Sequence, residues 1–232
     1  MSESLVREGY EGTGPGAITP DGCAVELYRR LSVGEEPDVI AGAAPAGASI
    51  LELGCGAGRV THPLVRRGFR VTAVDESPEM LEQIVGARRV RSPIETLDLG
   101  GERFDVVLLG SFLVHAGEHR VRDGMLRVCR DHVRDDGIVL VQREGAAHRS
   151  ELPWERTDPS GGLIRIVSVD PVGDGVRSVR AEYHFDDARW TQTFLSRELS
   201  DEDIARHLAT AGLTLDRTLT DDGTWLLARP VL

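Results

Sequence analysis

Four side chains in this sequence, Glu52, Asp75, His115 and Tyr10, are of types that bind or react, and the first two flank an unusual glycine pattern. In "ILELGCGAG", starting at Ile50, an apolar run stops at a carboxylate and gives way to Gly54-x-Gly56-x-Gly58. Such a run reads as a strand turning tightly into a helix with its backbone against a ligand, because any Cβ there would intrude. Nineteen residues beyond Gly56, the run "RVTAVD" ends in Asp75, placed to accept hydrogen bonds from two ribose hydroxyls. A dinucleotide fingerprint needs G-x-G-x-x-G, and its last position here is Arg59, which weakens a pyrophosphate site. Taken singly, the glycines also suit a plain turn and Glu52 a backbone cap; together they favour a ligand.

Composition narrows the chemistry further. The 232 residues carry a formal charge of -11 and no lysine, so all 27 basic residues are arginine. A polyanionic nucleic-acid partner is disfavoured, since backbone binding needs clustered positive charge. Without lysine there is neither a phosphate-binding loop of the Walker type nor a Schiff base. Asparagine is also absent, which excludes an Asn-Pro-Pro-Tyr motif for base methylation. Cys23, Cys55 and Cys129 lie far apart and suggest neither a disulfide framework nor a metal site. The longest apolar stretches, such as "VVLLGSFLV" from Val106, are too short to cross a bilayer, and "MSESLVREGYEG" has no signal pattern. A soluble cytoplasmic protein is expected.

The elements that must position these residues alternate. Strand-like runs at 48–54, 70–75, 103–110 and 137–144 are separated by helix-like stretches, which predicts a doubly wound, mostly parallel α/β sheet. "GRVTHPLVRRG" sets Val60, Leu64 and Val65 on one face, and "SPEMLEQIVG" opens on a Ser cap and ends at Gly86. "HRVRDGMLRVCRDHVRDDG" continues helical spacing through Val133 towards Gly137.

From about Ala48 to Glu144 the chain resembles the class I S-adenosylmethionine-dependent methyltransferases. The resemblance rests on "ILELGCGAG", "VTAVDESPEML", "FDVVLLGSFLVH" and "DDGIVLVQREG", and it implies a Rossmann-like fold with S-adenosylmethionine as cofactor. It carries Glu52, Gly54, Cys55, Gly56 and Gly58 over as positions around the methionine half and ribose, and Asp75 as the ribose acid. Glu76 and Met80 match positions bordering the adenosine, although Met80 also suits plain packing. Gly110 and Ser111 match the loop beneath the methyl group. Where the family often has an acid reading the adenine, this sequence has Pro93 in "SPIETL", leaving Ile94 backbone or the Ser92 hydroxyl for that contact. His115 follows the fourth strand where the family's acceptor enters, as a general base or as a polar rim residue. Tyr10, in the glycine-rich "REGYEGTGPGAITPDG", is a second catalytic candidate if that segment is a lid and not a mobile tail.

Four segments are expected: an N-terminal lid and helix (1–47), the cofactor-binding core (48–150), an antiparallel β insertion capping the acceptor (151–199) and a closing helix with strands (200–232). Within the insertion, "LIRIVSVD", "GVRSVRAEYHF" and "RWTQTFLSREL" read as three strands joined by "PVGD" and "DDA" turns. Ala181, Tyr183 and Phe185 alternate with Glu182 and His184, giving an apolar face that the main domain or the second copy of a homodimer must cover. Trp154, Tyr183, Trp190 and Phe194 are either packing residues or an acceptor wall. The sequence therefore predicts methyl transfer to nitrogen or oxygen of a small molecule, in bacterial secondary metabolism, without metal, nucleic acid or membrane. The rivals are an NAD-dependent oxidoreductase and a non-catalytic module that senses the cofactor or binds a partner.

Overall fold

A computed structural model describes residues 7–145 and 152–231. In chain order its elements are β1 (Glu11–Thr13), α1 (Val25–Arg30), α2 (Glu36–Ala43), β2 (Ser49–Leu53), α3 (Thr61–Arg66), β3 (Arg70–Asp75), α4 (Pro78–Leu81), β4 (Arg88–Arg91), β5 (Phe104–Leu109), α5 (His119–His132) and β6 (Val133–Gln142). They continue with β7 (Trp154–Thr157), β8 (Leu163–Gly173), β9 (Val176–His184), β10 (Arg189–Arg197), α6 (Asp201–Thr210), β11 (Leu213–Thr218) and β12 (Trp225–Pro230). Two compact units divide them: residues 7–32 with 152–198, and residues 33–145 with 199–231.

The larger unit holds a seven-stranded sheet in the order β11-β12-β6-β5-β2-β3-β4. Strands β4, β3, β2, β5 and β6 run parallel, and β12 and β11 close the sheet antiparallel. From β2 the chain winds outward to β3 and β4, then returns to β5 on the other side, so the order reverses between β2 and β5. Open α/β sheets bind ligands outside the carboxyl ends of their strands at such a reversal. The central strands are fully buried, with Ile50, Leu51, Val106, Val107 and Leu140 at 0% exposure. That double-sided burial explains why they read as continuous apolar runs. Helix α6 begins with a reciprocal capping box between Ser200 and Asp203, as "LSDEDIARHL" implies, and Gly212 follows it at φ +77°.

Three elements differ from the sequence expectation. Helix α5 stops at His132, and Val133 already pairs with Phe104 as the first residue of β6; the apolar spacing ran on because Val133 is buried from the strand side instead. Strand β4, "RRVR", is a charged edge strand with no periodicity to betray it. The helix expected from Ser77 to Gly86 is also short, ending at Leu81.

The smaller unit is a five-stranded antiparallel sheet, β1-β10-β9-β8-β7. The expected three strands are its centre, and both of their edges are taken by the chain itself: Glu11–Thr13 pairs with Thr191–Thr193, and Trp154–Thr157 with Leu163–Ile166. The "PVGD" turn is shifted, because Pro171 and Gly173 still pair with β9 and the chain reverses at Asp174 and Gly175, at φ +50° and +72°. The apolar face is covered locally. Ala24 and Leu27 of the α1 region pack with Ile164, Ala181, Tyr183 and Trp190, Trp190 donates to Pro15 O at 2.9 Å, and Arg30 lies over the Phe185 and Trp190 rings. This removes the premise for covering that face by a second copy. It also places Tyr183 and Trp190 in a packed core, while Trp154 stays half-exposed.

Segment 7–32 thus belongs with the insertion, whereas α2, expected beside the lid, belongs with the main sheet. The expected boundary at 150/151 and the start of the chain through Val6 lie outside the described residues. Among the described residues no helix is long and apolar enough to cross a membrane.

Candidate functional site

The site begins where β2 runs out. Beyond Leu53 the amides of Gly54 and Cys55 both donate to Val74 O on β3, each at 2.9 Å, and the Gly58 amide donates to Cys55 O at 3.1 Å. Gly54, Gly56 and Gly58 stand at φ +73°, +53° and +87°, in the left-handed region that side chains disfavour. A Cβ on Gly54 would sit 2.8 Å from Leu113 Cδ1, and one on Gly58 2.5 Å from His62 Cε1. The protein's own backbone and side chains therefore demand these glycines, before any ligand does.

Asp75 ends β3 and ties this loop down. Its Oδ2 accepts from the Gly56 amide at 2.8 Å and its Oδ1 from the Ser77 amide at 3.0 Å. Ser77 in turn caps α4 by accepting from the Met80 amide at 3.1 Å. Each carboxylate oxygen has a second lone pair, so Asp75 can hold the loop and still accept from a diol. Met80 is buried at 2% exposure, as a packing residue is. Glu76 is half-buried, and its carbonyl accepts from Arg91. Ile94 lies close to the loop, its Cδ1 3.3 Å from where a Gly54 Cβ would stand.

Glu52 is buried at 4% exposure, and its Oε2 accepts from the Thr61 hydroxyl at 2.6 Å. Burial pushes its carboxyl up to about 7, against the lowering effects of the Thr61 bond and of Arg59, with Asp75 adding repulsion. Cys55 is buried nearby, and burial, then the charges of Glu52 and Asp75, push its thiol well above the ordinary range. It is a packing thiol beside Ala73, Leu81 and Ile84.

At the end of β5, Gly110 leads into Ser111 and Phe112, two non-glycine residues at φ +51° and +59°. The Ser111 amide donates to Gln142 Oε1 at 2.7 Å, which pins this turn to the end of β6. His115 follows in the short turn Leu113–His115 and is buried at 3% exposure. Its Nε2 accepts from the Glu144 amide at 2.9 Å, so the neutral ring carries its proton on Nδ1. That lone pair is engaged in structure, and a ring this buried is not the polar rim residue that was one of the two expectations for His115. Tyr10 belongs to the smaller unit, where its hydroxyl donates to Leu195 O at 3.4 Å.

Glu36, Glu52, Gly54, Gly110, Ser111 and Gln142 line a small recess beside Trp225. Sequence reasoning missed Glu36, Gln142 and Trp225. Gln142 did leave a signal, as the polar end of the buried run "IVLVQ". Among the described residues no group of three His, Cys, Asp or Glu side chains gathers as a metal site.

With this geometry in place, comparison with known proteins is decisive. Residues 50–137 match the family model described as "Methyltransferase domain". A ubiquinone biosynthesis O-methyltransferase of Cereibacter sphaeroides is 30% identical over 183 residues, covering 66% of this chain and 70% of that protein. The chain belongs to the class I S-adenosylmethionine-dependent methyltransferases. Two further proteins with that relative's description are matched over only 39% and 40% of their lengths, so the chain spans about two fifths of them. The fold is shared with an S-adenosylmethionine-dependent methyltransferase from Clostridium acetobutylicum, at TM-score 0.69 and 16% identity over 89% of this chain and 97% of that one. The sugar N-methyltransferase KedS8 from Streptoalloteichus shares it as well, at TM-score 0.68 and 19% identity over 95% and 98%.

Proposed function

We propose that this methyltransferase transfers a methyl group from S-adenosylmethionine to a nitrogen or oxygen of a small-molecule acceptor. The observation that carries this reading is the glycine loop clamped by Asp75 at the sheet's reversal point, with a buried acid, Glu52, beside the recess. When bound, the cofactor's sulfonium supplies an activated methyl and a neutral thioether leaving group.

The chain's own residues have the complementary tasks. Asp75, already held by two amides, accepts from the ribose diol as a charge-assisted partner. Glu52, buried and bonded to the Thr61 hydroxyl, is the acid whose ionisation a cation in the recess would favour. The Gly110–Ser111 turn, fixed by Gln142, keeps side chains away from the reacting centre. What remains is alignment of acceptor and methyl group, for which good intramolecular models give roughly 7 to 11 kcal/mol. With its proton on Nδ1, His115 acts as a base in this scheme only by releasing the Glu144 amide from Nε2.

Acceptor choice we assign to the smaller unit, because the large unit's loops are committed to the cofactor and specificity resides in what varies around them. The reference relatives named for an O-acceptor and for a sugar N-acceptor support nitrogen and oxygen as the classes to test. Bacterial secondary metabolism is the setting we propose.

The experiment is calorimetric titration of S-adenosylmethionine, S-adenosylhomocysteine and NAD into the parent and Asp75→Ala, followed by thioether release with a panel of amines, amino sugars and phenols. The parent is expected to bind the first two and not NAD, with Asp75→Ala at least ten-fold weaker. NAD binding in preference, or cofactor binding with no turnover on any acceptor class, would favour the oxidoreductase or the sensing module.

A further inference from the structure

Glu36 opens helix α2 in "GEEPD", where nothing in the sequence suggests a ligand contact. Its side chain is 13% exposed, and its Oε1 accepts from Arg59 at 2.6 Å. Its Oε2, in contrast, is buried with no hydrogen-bond partner among the described residues, and the side chain lines the recess with Glu52, Gly54 and Gly110. Native proteins pair their buried polar atoms, so an orphaned carboxylate oxygen on a side chain that lines a cavity marks a place where a donor belongs. A charged oxygen left unpaired is costly when the recess is empty, and the cost is relieved when a cationic donor enters. Arg59 lies on the other oxygen and holds the carboxylate in a fixed orientation. The residue that breaks the dinucleotide fingerprint is thus tied to this acid.

We propose that Glu36 is a cofactor-binding residue whose Oε2 accepts a hydrogen bond from the α-ammonium at the methionine end of the cofactor, with Arg59 as its positioning residue. The inference rests on the function proposed above. The recess suits that end: it is small, two acids from separate elements line it, and an ammonium brings three donors. The α-ammonium therefore satisfies a charge and an unpaired acceptor at once.

The test uses the full chain and two ligands, S-adenosylhomocysteine and its analogue lacking only the α-amino group. Glu36→Gln preserves shape and an acceptor for Arg59, and it is expected to lower affinity for S-adenosylhomocysteine by roughly ten-fold or more while leaving the deaminated analogue unchanged. Whatever the loss of the Arg59 ion pair does to its thermal midpoint without ligand, the midpoint shift produced by S-adenosylhomocysteine should shrink. Glu36→Met, which cannot accept at all, should give the same ligand discrimination. Equal losses for both ligands would make Glu36 a structural residue, and unchanged affinity for both would remove it from the site; either overturns the inference while sparing the proposed function. Failure of the parent to bind S-adenosylhomocysteine would overturn that function, and this inference with it.

Discussion

At the scale of single residues, the site pairs one acid held by loop amides with one buried acid, and burial of the second makes stability depend on pH. Asp75 is shared between two loop amides, so Asp75→Ala removes a ligand contact and also leaves two donors without their carboxylate. That loss costs about 1–3 kcal/mol of stability in addition to affinity. Glu52 acts through its burial. Its carboxyl, raised from 4.5 to about 7 by burial, keeps its proton in the folded chain between those values, where the unfolded chain has lost it. The native state then binds more protons, so the Glu52 contribution to stability falls as pH rises from about 4.5 through about 7, by roughly 3 kcal/mol in total. Glu52→Gln, which still accepts from Thr61, should lack this dependence. Thermal midpoints of the two proteins from pH 5 to 8 are expected to converge at the acid end, with the parent falling below the variant towards pH 8. Parallel curves would mean that Glu52 is ionised throughout.

At the scale of elements, what was legible depended on how each segment is buried. Strand β3 was read to the residue because both faces are buried and Asp75 stops it. The Ser200 cap of α6 is local chemistry and could be read in "LSDEDIARHL", although its reciprocal partner Asp203 emerges only in the structure. Strand β4 and the end of α5 were not: one is a charged edge, and the other passes from helix to strand at Val133 without losing its apolar spacing. In the site, Gly54, Gly56, Gly58 and Asp75 stood out because backbone geometry demands those residue types. Glu36 could not, since its role depends on Arg59, 23 positions away. The turn after β5 was legible only as Gly110–Ser111; its left-handed conformation at Ser111 and Phe112 is imposed by tertiary context, through the bond from the Ser111 amide to Gln142. That conformation gives an expected outcome. Ser111→Val, β-branched and ill-suited to positive φ, should lower stability by roughly 1–2 kcal/mol. Ser111→Gly should not. Chemical denaturation midpoints at constant m-value decide it, and equal midpoints for both variants would show that the turn relaxes freely.

At the scale of the whole molecule, the chain begins one unit, builds the other, and returns. Residues 7–32 supply β1 and α1 to a sheet whose other strands come from 152–198, more than a hundred positions later. The sequence could not disclose that pairing, because three central strands with an apolar face look the same whether a near or a distant segment covers them. The structure shows the cover to be α1 and its flanks, with Leu27 at 1% and Trp190 at 1% exposure. The small unit's core is therefore completed by a detachable piece of sequence. Deleting residues through Ser32 should uncover Ala181, Tyr183 and Trp190 together and leave β10 with an unpaired edge, two features that promote edge-to-edge and face-to-face association. The large unit keeps its own core, including Ile50, Val106 and Leu140, and its glycine loop. The truncated chain is thus expected to elute as larger or polydisperse species by light scattering, while the parent elutes as one species, and to bind S-adenosylhomocysteine within about three-fold of the parent. In the same truncation Arg165→Glu, a change on a residue ion-paired to Glu155 and Glu182, should not restore a single species, because the association is driven by apolar area and not by charge. A truncated chain that stays as monodisperse as the parent would show that the sheet's apolar face needs no cover, and the N-terminal segment would then have to be retained for another reason.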